Sequence, residues 1–321
     1  MTRRTQFLRN AAPGPASTAP PQPLAEPAPT PHDGGPMNVQ PAVLQSLLGR
    51  ARRQLASWLL AEPLEHMRSI PYRDAGHGYD VFGYEPLHAA LALAALEPLY
   101  RHWFRVRSYG VEHVPATGPA ILVGNHSGTL PFDGLMLWMD VILRRHRLPR
   151  TVADYFVSAM PFVSTLYARG GVVGGTAGNL RVLLEAGELL LIFPEGVPGI
   201  SKPFSERYQL REFRVGHAEL AIRHQAPVVP VGIVGAEEQM PQIARLPVHA
   251  FGVPYLPVTL TPLPLPVRYH LHYGEPLILH EGLRPEDADD PEVVHRASQR
   301  VQRAVQELVE KGLRLRKGVF R

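Results

Sequence analysis

The chain has 321 residues, with 33 Lys and Arg against 29 Asp and Glu, 34 Pro and no Cys. Zero cysteines exclude a disulfide scaffold, a thiolate zinc site, an iron–sulfur cluster and a cysteine nucleophile, and are compatible with a reduced, cytoplasmic setting. The formal charge of +4 comes with neither zinc-finger spacing nor an aromatic-rich RNA signature, so no nucleic-acid partner is expected.

Residues 1–40 read as a disordered tail. Nine prolines fall between Ala11 and Pro36, and such a stretch offers few backbone donors and no apolar face. The basic start (Arg3, Arg4, Arg9) runs into proline rather than an apolar h-region, so no signal peptide is expected. No apolar run reaches the ~20 residues that span a bilayer. Residues 41–104 read as a helical segment. From Pro41 to Leu60, Val43, Leu44, Leu47, Leu48, Leu55, Trp58 and Leu59 recur at helical spacing, interrupted by Arg50, Arg52 and Arg53. That pattern suits a helix lying in a membrane interface as well as one packed on the domain. Tyr72–Gly83 reads as loop, and Pro86 opens a second helix running toward Phe104.

From Arg105 onward the text alternates between strand and helix. Arg105–Tyr109 and the apolar run Ala120–Val123 are predicted strands. Phe132–Arg147 is a predicted helix, with Asp133 in its first turn and a basic end, as the helix dipole favours. Asn179–Ala186 is a short helix before the buried strand Glu188–Phe193, which Pro194 and Gly196 stop. Phe213–His224 is a helix and Pro227–Val234 a buried strand. Val267–Tyr273 alternates like a half-covered strand near a sheet edge. Pro291–Glu310 closes the chain as a helix. This order predicts an α/β fold with a layered mixed or mainly parallel sheet flanked by helices, residues 105–321 forming one domain with its motif core at about 119–236.

Two segments join the end of an apolar strand to the start of another element, where ligand sites lie in open α/β sheets. The first is Val123–Asp133. His126 is the side chain there that titrates near neutral pH, and Asp133 is near enough in sequence to bond one ring nitrogen and fix its tautomer. The other reading is an Asp that caps the helix and a His bonded to backbone. Gly124-Asn125-His126-Ser127-Gly128 places its glycines wrongly for the G-x-S-x-G nucleophile elbow, which argues against a serine hydrolase.

The second segment is Phe193-Pro194-Glu195-Gly196. A carboxylate followed by Gly at a strand end suits a polyol or ribose hydroxyl, the ordering of a nearby loop, or a plain turn. Lys202 and Arg207, then Arg211 and Arg214, make a basic loop suited to phosphate or a phosphorylated carrier, or merely solvated. The glycine run Gly170–Gly178 lacks the P-loop's Lys-Ser/Thr ending and reads as a tight turn. His270 and His272 share a strand face without a third ligand at recognisable spacing, so no metal is expected.

In order, these blocks resemble the glycerolphosphate/lysophospholipid acyltransferase superfamily, particularly its monoacylglycerol/diacylglycerol acyltransferase-like branch. The resemblance runs roughly from Arg105 to Glu275. Asn125-His126 with Asp133, the Phe193–Gly196 block, the return strand Ala226–Val231 followed by Gly235-Ala236-Glu237-Glu238, and Val253–Pro257 carry it. The superfamily's usual spacing is His-x4-Asp, but position 131 is Pro and the Asp comes at His-x6-Asp.

The resemblance implies transfer of a fatty acyl group from a thioester, acyl-CoA or acyl carrier protein, to a hydroxyl of a glycerolipid. His126 would be the base and Asp133 its orienting partner. Backbone N–H groups around Ser127 and Gly128 would serve the oxyanion. Glu195, Gly196, Lys202 and Arg207 would position acceptor or carrier, with no cofactor beyond the donor. The Leu/Val/Pro-rich segment 251–266 would wall the acyl chain. A lipid acceptor implies peripheral contact with the inner face of a membrane through the 41–60 and 86–104 helices. A lipid-binding protein without turnover remains the alternative, and a lipid hydrolase a weaker one.

Overall fold

The computed structural model describes residues 60–126, 130–158, 160, 162–246 and 256–321. The Pro-rich tail, all but the last residue of the helix expected at 41–60, Ser127, Gly128 and residues 251–255 lie outside the described residues.

Among these residues the strands β1 (Arg107–Tyr109), β2 (Ala120–Gly124), β3 (Pro149–Ala153), β4 (Val173–Gly174), β5 (Leu189–Ile192), β6 (Val228–Val234) and β9 (His270–Tyr273) form one sheet. Its order is β1-β9-β6-β2-β5-β3-β4. Every neighbouring pair is parallel except β6 with β9. The expected mixed, mainly parallel sheet is therefore present. A separate antiparallel pair, β7 (Gln242–Leu246) with β8 (Leu256–Thr259), was not foreseen, nor were β3 and β4.

The central strands are apolar throughout because both faces are covered. Along β2, Ala120 and Leu122 point into one core while Ile121 and Val123 point into the other, the period of two expected of a strand. The first core holds α2 (Pro86–Pro98), its π-helical extension Leu99–Trp103, and α3 (Phe132–Arg145). The second holds α6 (Ala177–Glu185), α8 (Gly216–Arg223) and the long closing helix α9 (Pro291–Leu315). Helix α9 lies close on β6: a Cβ on Gly232 would come within 2.7 Å of Leu308.

Pro230 costs β6 a single ladder bond. Its carbonyl accepts from Gly274 N–H at 2.8 Å, so its missing N–H would face the same side, at the end of the β9 pairing, which begins at Val231.

Three elements depart from expectation. Strand β9 is an inner strand, buried at every position, because β1 pairs outside it. The first strand starts at Arg107 rather than Arg105, whose φ of 44° cannot continue a strand. Helix α3 stops at Arg145, where His146 turns left-handed at φ 54° and returns its N–H to Ile142.

Asp140, fully buried on α3, fixes that helix to the sheet. It accepts from Tyr100 Oη at 2.5 Å, Ser108 Oγ at 2.5 Å and Tyr273 Oη at 2.7 Å. One carboxylate thus ties the π-turn, β1 and β9 to the helix that carries Asp133.

Burial pushes His217, His270 and His272 down to about 4, with neighbouring cations adding to the effect at the last two. The unfolded chain takes up these protons near pH 6.5 and the native one only near 4. The stability they contribute is therefore complete above pH 6.5 and lost as pH falls toward 4. Urea unfolding should show a lower midpoint at pH 5 than at pH 7.5, and His217→Gln should lessen that difference by at most about 1.4 kcal/mol per pH unit.

Candidate active site

The carboxyl ends of β2 and β5 meet the start of α3. Asn125, fully buried one residue beyond β2, donates through Nδ2 to the Ile233 carbonyl at 3.0 Å and accepts the Ile233 N–H at 2.7 Å. This clamp to β6 fixes the chain as it leaves the sheet. His126 follows, with 17% of its side chain exposed. Its Nδ1 lies 2.7 Å from Oδ2 of Asp133, the second residue of α3, whose side chain is fully buried. The His-x6-Asp spacing therefore closes into a contact. Oδ1 of Asp133 accepts the Gly134 N–H at 2.7 Å, which holds the carboxylate at the positive end of the helix.

The second segment lies directly beneath. Phe193 stacks on the His126 ring, with centroids 4.4 Å apart and planes inclined by 21°. Glu195 is 1% exposed. Its Oε1 accepts the His126 backbone N–H at 2.9 Å and its Oε2 the Arg211 backbone N–H at 2.7 Å. Lys202 Nζ lies 3.3 Å from Glu195 Oε2 and 3.1 Å from Glu237 Oε1, and also donates to the Gln209 carbonyl at 3.3 Å. Glu237 Oε2 accepts the Tyr208 N–H at 3.0 Å. Desolvation, opposed by Lys202, pushes the Glu237 carboxyl up to about 7. Gly199 closes the floor: a Cβ there would lie 2.6 Å from the Glu195 Cβ and 3.2 Å from the His126 Cβ.

The structure thus brings His126, Asp133, Glu195 and Lys202 into one connected group. Glu195 and Lys202 reach protein partners from below the imidazole and are closed to solvent. Gly196 turns the chain at φ 56° and packs under the Arg214 guanidinium, which pairs with Asp154 at 3.3 Å. Arg207 stands apart and exposed, stacked on the Phe204 ring at 4.5 Å. In the glycine run, Thr176 caps α6 by accepting the Asn179 N–H at 3.3 Å. The rings of His270 and His272 lie nearly parallel to that of Tyr109, at centroid distances of 6.1 and 4.6 Å.

Sequence reasoning gave no part to Asn125, Phe193, Gly199 or Glu237 individually, although three of them lie in or beside the motifs it singled out. Their contacts cross between β2, the β5 turn and the turn after β6, and no spacing along the chain reports those. The imidazole is left with Nδ1 held by a buried carboxylate and with Nε2 making no hydrogen bond among the described residues. That arrangement can take a proton from a group at the sheet edge and return it.

Comparison with known proteins bears on the family of the chain. Residues 105–234 match the family described as Acyltransferase. An uncharacterized protein of Mycobacterium tuberculosis is 36% identical over 258 residues, covering 76% of this chain and 72% of that one. The human protein named "DGAT1/2-independent enzyme synthesizing storage lipids" is 26% identical over 219 residues, covering 66% of this chain and 63% of its own. The crystal structure of the 1-acyl-sn-glycerophosphate (LPA) acyltransferase PlsC from Thermotoga maritima aligns with 83% of this chain and 99% of that one, at a TM-score of 0.45 and 19% identity. The chain belongs to the acyltransferase family and is an acyltransferase.

Removing one member of a buried ionic group leaves the others uncompensated. Lys202→Met should therefore lower the free energy of unfolding by about 3–5 kcal/mol, and adding Glu237→Gln should recover part of the loss in urea titrations.

Proposed function

We propose that the chain moves a fatty acyl group from a thioester, acyl-CoA or acyl carrier protein, to a hydroxyl of a glycerolipid. The observation that carries this reading is the 2.7 Å contact between His126 Nδ1 and Asp133 at the carboxyl edge of the sheet. The acceptor hydroxyl gives its proton to Nε2 as its oxygen attacks the thioester carbonyl. Asp133 holds the tautomer and stabilises the imidazolium. Backbone N–H groups around Ser127 and Gly128 receive the oxyanion. The tetrahedral intermediate then expels the thiolate, which takes the proton back from the imidazolium. The thioester is already activated, so no covalent enzyme intermediate is required.

Glu195 and Lys202 act from beneath, setting the backbone on which His126 rides. Arg207 and the Gly196 turn remain the candidates for touching acceptor or carrier. The human relative is named as an enzyme synthesizing storage lipids, and mono- and diacylglycerol are included among the acceptors proposed. Peripheral membrane contact is part of the proposal, supported by Leu87, Leu91 and Trp103, each 41–42% exposed along α2 and its π-helical end. No helix among the described residues is long and apolar enough to cross a membrane.

Purified protein incubated with labelled palmitoyl-CoA and a panel of lysophospholipids, glycerol phosphate, mono- and diacylglycerol should give an acylated lipid. His126→Ala should reduce that rate roughly 10²–10⁴-fold with the circular-dichroism spectrum unchanged. A variant that retains full transfer would remove His126 from the chemistry.

A further inference from the structure

Arg105, Arg107 and Arg268 come together at the entrance to β1 and β9, although 161 residues separate the first from the last's neighbourhood in the sequence. Strand pairing is the cause: the Arg107 N–H bonds the Tyr269 carbonyl at 3.0 Å, and Arg107 is in register with His270. None of the three arginines forms an ion pair with a carboxylate among the described residues. The Nε atoms of Arg105 and Arg268 are buried and have no hydrogen-bond partner there. Arg105 holds its left-handed backbone with Nη2 donating to the Pro266 carbonyl at 2.5 Å. Desolvation and then the charges of Arg107 and Arg105 lower the Arg268 guanidinium from its ordinary value. His270 beside them is pushed down to about 4 and is neutral at physiological pH, so the arginines carry the charge.

This cluster lies at the same end of the sheet as His126. Strand β9 runs against β6 with His270 opposite Val234, at the carboxyl end of β6, which is parallel to β2. From β2 to β1 is three strand steps, roughly 14 Å at about 4.8 Å each. Arg107 and Arg268 alternate with Ser108 and Tyr269, which face α3, so the arginines belong to the α9 side of the sheet and a donor reaches His126 around the sheet's end. The Phe104 carbonyl accepts the Tyr269 N–H at 3.0 Å, and the Phe104 ring lies 5.5 Å from that of Phe132, the residue before Asp133.

We infer that Arg105, Arg107 and Arg268 bind the phosphate-bearing end of the acyl donor, a coenzyme-A-type thioester, while its carbonyl reaches His126. The inference rests on the acyl-transfer reading and deepens it. Three uncompensated guanidinium groups match a phosphate ester, which accepts several N–H bonds at once. Distance selects the donor over the acceptor. The phosphate of a glycerolipid lies only a few bonds from the hydroxyl that must meet Nε2, whereas a donor's phosphate is separated from its thioester by a long flexible arm.

The test is equilibrium binding of free CoA to the full chain by calorimetry, together with steady-state kinetics on palmitoyl-CoA. For Arg107→Ala with Arg268→Ala, CoA affinity should fall about tenfold or more, or about 1.4 kcal/mol. KM for palmitoyl-CoA should rise correspondingly, with kcat and the acceptor KM within twofold of the parent. Arg107→Lys with Arg268→Lys, which keeps the charge, should recover much of the loss and guards against a folding defect. Sedimentation with phosphatidylcholine vesicles containing phosphatidylglycerol should be unchanged. Failure of the parent to bind CoA, unchanged CoA affinity in the double variant, or loss of vesicle binding with CoA binding retained would each overturn the site; the last would make the arginines a lipid anchor. CoA binding that depends on these arginines without transfer to any acceptor would instead sink the proposed reaction.

Discussion

The carboxylate of Glu195 is the constraint on which the site's geometry depends. It joins two segments that leave neighbouring parallel strands, taking the main-chain N–H of His126 on one oxygen and that of Arg211 on the other. A backbone donor held this way fixes where the residue starts, and the contact with Asp133 fixes where its ring ends. Phe193 beneath and Gly199 beside it leave no other course for the chain. A base must be placed within hydrogen-bond reach of its proton before its basicity matters, and here two carboxylates and one aromatic ring do the placing.

Such a carboxylate is costly to bury. Isolated ions lose several kcal/mol of hydration in a protein interior, and a partner recovers this only with good geometry and further hydrogen bonds. Lys202 supplies the partner, and two backbone amides satisfy the remaining oxygen valences of Glu195. Glu237 adds a second carboxyl to the same ammonium, and desolvation holds its proton affinity high, so the cluster need not carry two full negative charges. The cost is concentrated under the imidazole, where precision of placement is worth more than stability.

Much of this was legible in the sequence. Apolar runs such as Leu189–Ile192 and Val228–Val234 announce strands covered on both faces, and the strand ends announce where a site belongs. His126 and Asp133 were readable because one helical start brings them together locally. Strand β9 was legible as a strand but not as one covered on both faces, because its alternating His and Tyr look half-exposed until β1 is known to pair outside it. Lys202 was legible as a site candidate but not in its setting: its basic loop suits phosphate or solvent, and only the fold supplies the two carboxylates that draw it inside. The convergence of Arg105, Arg107 and Arg268 is a product of the β1–β9 pairing, and nothing in their spacing foretells it.

The most direct measurement is of the His126 imidazole itself, by nitrogen NMR of protein labelled at the histidine ring positions, with His126→Gln used for assignment. At neutral pH the resonances should show Nδ1 carrying the proton shared with Asp133 and Nε2 bare, and Asp133→Asn should disturb that preference. A ring found protonated on Nε2, or one indifferent to the loss of the Asp133 charge, would contradict the arrangement from which the proposed chemistry follows.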